Sequence, residues 1–130
     1  TYGDWSSDVC SSDLIYNAVM AAAGGSREIE IWRDDVEANA ARGRPAMHDL
    51  SALLSVSFDR GLPALILSAH YLLRVIRQFD VVRTDRLHAA TAAALLGKRV
   101  ELYPGRYFKN RAIYDFSLKS FPNVRFVDWN

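Results

Sequence analysis

Thr84-Asp85-Arg86-Leu87-His88-Ala89 gathers an acid, a guanidinium and an imidazole within six residues. An apolar run, Phe79-Asp80-Val81-Val82, precedes it and reads as a buried strand. Ala89 to Leu96, closed by Gly97, reads as a helix packed on a sheet. The polar cluster therefore falls at a strand-to-helix turn, the place where α/β proteins bind ligands. Backbone N–H groups and the positive end of the helix dipole suit an anion there. Thr84 or Asp85 can cap the helix by accepting an N–H bond, and capping alone accounts for Asp85. Arg86 fits that account less well. A cation in the first turn opposes the dipole at a cost of roughly 0.3–1 kcal/mol, and a guanidinium there can take a phosphate or carboxylate bidentately. The other reading of Arg86 is an ion pair with Asp85 or Asp80. His88 can trade a proton near neutral pH beside such an anion. It can equally be a hydrogen-bonded histidine of the core.

One strand further on, Lys109-Asn110 opens the next helix, on the same edge of a parallel sheet as His88. Lys109 is a second candidate for the same anion, or a solvated lysine. Tyr103, Tyr107 and Phe108 can wall a pocket, interleave with Arg106 to stack bases, or fill the core. Earlier, Arg33-Asp34-Asp35-Val36-Glu37 places charge at the exit of another strand. GxGxxG, Walker and GxSxG patterns are absent from the sequence. His48, His70 and His88 lack metal-ligand spacing with acidic partners, so no metal is expected, and His70, mid-helix, reads as structural.

These residues need elements to hold them. Glu28 to Trp32 alternates polar and apolar, the strand period. Residues 39–45 are loop-like, and Met47 to Phe58 fits either a helix or a short strand. Ala64 to Gln78 reads as a helix, Arg99 to Tyr103 as a strand, Lys109 to Phe121 as a helix and Asn123 to Val127 as a last strand. The alternation predicts an α/β fold with a parallel, Rossmann-like sheet and right-handed crossovers.

The chain has 130 residues, one domain's length at most, with 50% hydrophobic and 24% charged residues and a net charge of +1. No apolar run approaches the ~20 residues of a membrane span. The small net charge hides an asymmetry: Arg83 to Arg111 holds seven bases and two acids, the first sixty residues five bases and ten acids. A small anion, a nucleic acid or simple solvation each fits that basic stretch. Residues 1–14 resemble the translation of a DNA-sequencing library adapter and are set apart from the fold. Residues 15–130 are expected to be a truncated Rossmann-like domain. The only cysteine, Cys10, lies in the adapter-like part, so neither disulfides nor thiolate metal sites are expected.

Val81 to His88, the alanine-rich helix to Lys98, and Lys109-Asn110-Arg111-Ala112-Ile113-Tyr114 together resemble the carboxyl-terminal region of the polysaccharide pyruvyl transferase family. Asn123 to Val127 and the charged segment from Arg33 are similar to that family as well. The loop from Tyr103 to Phe108 departs from it in lacking an Asp-Asn turn before the lysine. The resemblance implies the carboxyl-terminal half of a glycosyltransferase-B-like architecture of two Rossmann-like halves. It implies transfer of a pyruvyl group from phosphoenolpyruvate, as co-substrate and with no further cofactor, onto a bacterial polysaccharide or lipid-linked saccharide as a ketal. It places Arg86 and His88 in the donor site, His88 as the acid, with Lys109, Asn110 and Arg33 as further substrate contacts. The amino-terminal half, with much of the acceptor site, is then expected to be missing, and the chain to be inactive alone. A cytoplasmic location, including the inner face of the membrane, is implied too. Two other classes remain open: a nucleotide-sugar-dependent glycosyltransferase domain, and a non-enzymatic nucleic-acid binder, which ranks last because no nucleic-acid module is recognisable.

Overall fold

A computed structural model describes Leu14, residues 16–33 and residues 61–129. Within them four parallel strands form one sheet in the order β1-β2-β3-β4. These are β1 (Glu28–Ile31), β2 (Val81–Thr84), β3 (Arg99–Leu102) and β4 (Val124–Phe126). Helix α1 (residues 16–23) precedes β1. Helix α2 (Leu62–Ile76) leads into β2, and α3 (Leu87–Leu95) joins β2 to β3. Helix α4 (Lys109–Phe116), followed by a short 3-10 turn (Leu118–Ser120), joins β3 to β4. The expected α/β, parallel, Rossmann-like arrangement is what forms. Two expectations for residues 34–60, the loop at 39–45 and the segment from Met47 to Phe58, lie outside the described residues, as does the adapter-like stretch 1–13.

The period-2 pattern of the strands decides which face meets the helices. Ile29, Ile31, Val82, Val100, Leu102 and Val124 share one face and form the core with Tyr71, Val75 and Ile76 of α2 and the alanines of α3. Phe79, between α2 and β2, is fully buried in the same cluster. Helix α1 adds Val19. Its Tyr16 ring lies under the Arg74 guanidinium of α2, 4.2 Å from ring centre to cation.

Helix α3 can lie close on β2 and β3 because Ala89, Ala90, Ala93 and Ala94 are the residues it buries. It stops where the sequence suggests. Gly97 takes φ +73°, its N–H bonds the Ala94 carbonyl at 3.0 Å and the Lys98 N–H bonds the Ala93 carbonyl at 2.9 Å. That pair of bonds is the Schellman motif, and the left-handed residue is glycine because a Cβ there is strained. Close packing also gives a prediction. Ala93→Leu should destabilise the fold by about 1–3 kcal/mol through overpacking, read as a lower midpoint in urea unfolding at unchanged slope.

The element boundaries shift in informative ways. Helix α3 begins two residues before Ala89, so Leu87 and His88 occupy its first turn. The last helix ends at Phe116 and not at Phe121. Ser117 leaves helical geometry (φ −135°, ψ −49°), and its hydroxyl bonds back to the Ile113 carbonyl at 3.1 Å. Serine offers the backbone that alternative.

The second face of the sheet is polar. The register sets Glu30, Arg83, Glu101 and Arg125 side by side across the four strands. Arg83 reaches Glu101 at 2.8 Å and Glu28 at 2.6 Å, and Arg125 reaches the other oxygen of Glu101 at 2.6 Å. Parallel sheets are commonly apolar on both faces. Here charges of alternating sign neutralise one another from strand to strand.

Candidate anion site at the carboxyl ends of the strands

Because β1, β2 and β3 are adjacent and parallel, their exits lie side by side on one edge. Arg33 follows β1, Arg86 follows β2, and Lys109 opens the helix after β3. His88 is the second residue of α3. The cation-bearing positions singled out in the sequence thus belong to three neighbouring turns of one sheet edge.

The turn after β2 is built by side chain-to-backbone bonds. The Thr84 hydroxyl donates to the Ile31 carbonyl at 2.6 Å and accepts the Arg86 N–H at 2.9 Å. Thr84 and Asp85 are both fully buried. Arg86 itself is the N-cap residue, with extended geometry (φ −91°, ψ 115°) and no side-chain cap bond. Asp85 precedes that N-cap position. Its Oδ1 accepts the Arg33 N–H at 2.8 Å, tying the exit of β1 to the exit of β2. Arg86 stands one residue ahead of the first turn, where its charge opposes the dipole less than a first-turn position would. The first intrahelical bond runs from the Ala90 N–H to the Arg86 carbonyl at 3.0 Å, so the N–H groups of Leu87, His88 and Ala89 precede it.

His88 is exposed, which sets aside the core-histidine alternative. Lys109 is exposed as well. Asn110 is not: it is buried, and its amide nitrogen donates to the Asp85 carbonyl at 2.7 Å and to the Tyr103 carbonyl at 2.9 Å. Asn110, an expected substrate contact, is placed here as a bridge between two turns, with both of its N–H donors on backbone carbonyls. Phe108 (73% exposed) and Tyr107 (60% exposed) do not fill the core. Tyr103 packs instead among Trp32 and Trp129, with ring centres 5.1 and 4.5 Å away, and Trp129 donates to the Pro104 carbonyl at 2.8 Å. This aromatic group follows the ends of β1, β3 and β4. The Tyr103 hydroxyl stands 3.4 Å from Glu101. Burial first, and then the negative charge of Glu101, raise its ionisation above the ordinary phenol range.

Several bases of the basic stretch are engaged within the fold. Arg83 bonds Glu28 and Glu101, Arg111 bonds Asp115 at 3.2 Å, and Lys98 donates to the Arg77 carbonyl at 3.1 Å. Asp80, one suggested partner for Arg86, is paired with Arg27 at 2.9 Å. The positive balance from Arg83 to Arg111 is therefore not a continuous cationic surface. Among the described residues no group of three or more His, Cys, Asp or Glu is placed to hold a metal ion, and no helix is long and apolar enough to cross a membrane.

The chain is similar to a solved but uncharacterized protein from Klebsiella pneumoniae subsp. pneumoniae NTUH-K2044, with 32% identity and a TM-score of 0.57. The likeness covers 78% of this chain and 36% of that one. This chain thus corresponds to just over a third of that protein's length. No family model and no curated protein matches the chain.

The bridging role of Asn110 was missed in the sequence. Its signal would have been an amide at the second position of a helix that follows a β-strand loop, where its reach to the neighbouring turn depends on the sheet order.

Proposed function

We propose that this domain binds phosphoenolpyruvate and supplies the donor side of pyruvyl transfer to sugar hydroxyls of a bacterial exopolysaccharide. The observation that carries the reading is the strand order: the turns that hold Arg33, Arg86, His88 and Lys109 follow three adjacent, parallel strands. The resemblance to the pyruvyl transferase family over Val81 to Tyr114 supports it independently.

The chemistry suits these types. Phosphoenolpyruvate carries a phosphate and a carboxylate, and Arg86 with the opening N–H groups of α3 suits one of them. Lys109 and Arg33 suit the other. Protonated His88 gives its proton to the methylene carbon, and the carbon that bears the phosphate oxygen becomes electrophilic. A sugar hydroxyl adds there, and its proton returns to the imidazole. The carbon–oxygen bond to phosphate then breaks, and phosphate departs against fixed positive charge. A second hydroxyl of the acceptor adds to the same carbon, its proton leaves with phosphate, and the ketal is complete. The acceptor is a polysaccharide or lipid-linked saccharide, and the second, amino-terminal half of a glycosyltransferase-B-like architecture brings it to the donor.

Ligand protection tests the reading directly. Phosphoenolpyruvate at a hundred times its dissociation constant should stabilise the fold by about 2.7 kcal/mol, seen as a higher melting temperature. A nucleoside diphosphate should give no such shift. Protection by the nucleotide alone would replace this reading with that of a nucleotide-sugar glycosyltransferase.

A further inference from the structure

Three buried polar side chains at the sheet edge, Thr84, Asp85 and Asn110, each join one strand exit to the next. Thr84 holds the carbonyl of Ile31 at the end of β1 and the N–H of Arg86. Asp85 holds the N–H of Arg33. Asn110 holds the carbonyl of Asp85 after β2 and the carbonyl of Tyr103 after β3. The bonds lie between 2.6 and 2.9 Å, and the three residues are 0–4% exposed. Each links turns that are far apart in sequence: Asp85 spans 52 positions and Asn110 spans 25. The Thr84 bond reinforces the last ladder pair of β1 and β2, Ile31 with Thr84. The Asp85 and Asn110 bonds lie beyond the ladder, where the Tyr103 N–H also bonds the Thr84 carbonyl at 2.9 Å.

We infer that Asn110, with Thr84 and Asp85, is a clamp that fixes the three cation-bearing turns relative to one another. Asn110 is a positioning residue. It stands next to Lys109 in the chain and grips the residue next to Arg86, so one amide sets the separation of two cations that it does not contact in order to bind anything. The inference deepens the proposed donor site and rests on that reading for its ligand, while the clamp itself is a property of the fold. Its consequence is that anion affinity depends on buried groups behind the site, as ligand-orienting groups do elsewhere.

The test uses the 130-residue chain with Asn110→Ala, Asn110→Asp, Thr84→Val and Thr84→Ser. Asn110→Asp keeps the shape and replaces the paired donor with an acceptor facing two carbonyls. Thr84→Ser keeps the hydroxyl, and Thr84→Val removes it. Amide exchange is followed through 85–88, 103 and 105–109, with α2 and β4 as internal references, at a temperature where every variant is folded. The clamp requires faster exchange in both segments from Asn110→Asp, with the references unchanged, and Thr84→Ser must stay close to wild type. Phosphoenolpyruvate titrated under the same conditions should bind at least about tenfold more weakly to Asn110→Asp and Thr84→Val. A variant with a lower melting temperature but unchanged exchange in the two segments and unchanged affinity would make these residues ordinary core groups, and the clamp would fall. If wild type binds no phosphoenolpyruvate, the donor-site reading fails by itself, and the exchange data still decide the clamp. Should Asn110→Ala fail to fold, Asn110→Asp and the two Thr84 variants carry the decision.

Discussion

His88→Ala should reduce pyruvyl transfer by roughly 10²–10⁴-fold, the usual contribution of a positioned general acid. The measurement is phosphate released from phosphoenolpyruvate in the presence of a sugar acceptor, by a chain that joins this domain to the amino-terminal half proposed above. Binding of phosphoenolpyruvate should change little, because His88 is asked to move a proton and not to neutralise the donor. Arg86→Ala should behave in the opposite way, raising KM more than it lowers kcat. The separation matters more than either number. Both residues sit at the start of α3, so a variant that merely frayed the helix would weaken binding and turnover together. Undiminished turnover in His88→Ala would remove the imidazole from the reaction. The basis for pairing the two is local. Arg86 is held as the N-cap residue by Thr84, and His88 follows two positions later at the exposed start of the same helix.

Much of this fold is legible in the sequence because it rests on local signals. The alternation of Glu28 to Ile31 announces an amphipathic strand. Gly97 announces the end of α3, and its positive φ is the reason. Alanines at 89, 90, 93 and 94 announce a helix that must approach a sheet closely. Other features depend on contacts between segments remote in sequence, and no local pattern encodes them. Asp85 has a side chain well suited to capping, and the sequence offers no sign that the Arg33 N–H, 52 positions away, bonds to it. The family resemblance offers Asn110 as a substrate contact, and only the sheet order shows the two carbonyls that it bridges. The charges of β1 to β4 each look like solvent-facing residues of their own strand. Only the register reveals that they face one another. In the basic stretch, the same effect pairs Arg83 with Glu28 and Glu101.

That charged row carries the second large expectation. Glu101→Gln should destabilise the fold at neutral pH by about 1.5–3 kcal/mol, the range for hydrogen bonds to charged groups. Glu101 is the hinge of the row, with one oxygen on Arg83 and the other on Arg125, and its side chain is only 8% exposed. Burial by itself would raise its pKa, but the hydrogen bonds and charges of the two arginines outweigh burial and hold it below the ordinary carboxylate value. Arg83 responds in the opposite sense. Its bond to Glu28 first, and then the charge of Glu101, overcome burial and keep it charged beyond the usable pH range, so only the acid limb of the pH profile reports on the row. A carboxylate whose pKa is lower folded than unfolded stabilises the fold fully above its unfolded pKa, near 4.3 for glutamate. That stabilisation is lost as the pH falls through the folded value. Wild type and Glu101→Gln should therefore differ fully above the unfolded pKa and converge as the pH falls through the lower folded value, where the wild-type carboxylate takes up its proton. Urea unfolding of both chains across that range is the measurement. A difference that stayed constant with pH would assign the loss to altered packing of the side chain. Arg27 and Asp80 form a pair at 2.9 Å, yet both side chains are more than half exposed, so water and salt screen it and its removal should matter far less. Two ion pairs of similar length thus have different consequences, and the register of four strands, which buries Glu101 between two arginines, is what separates them.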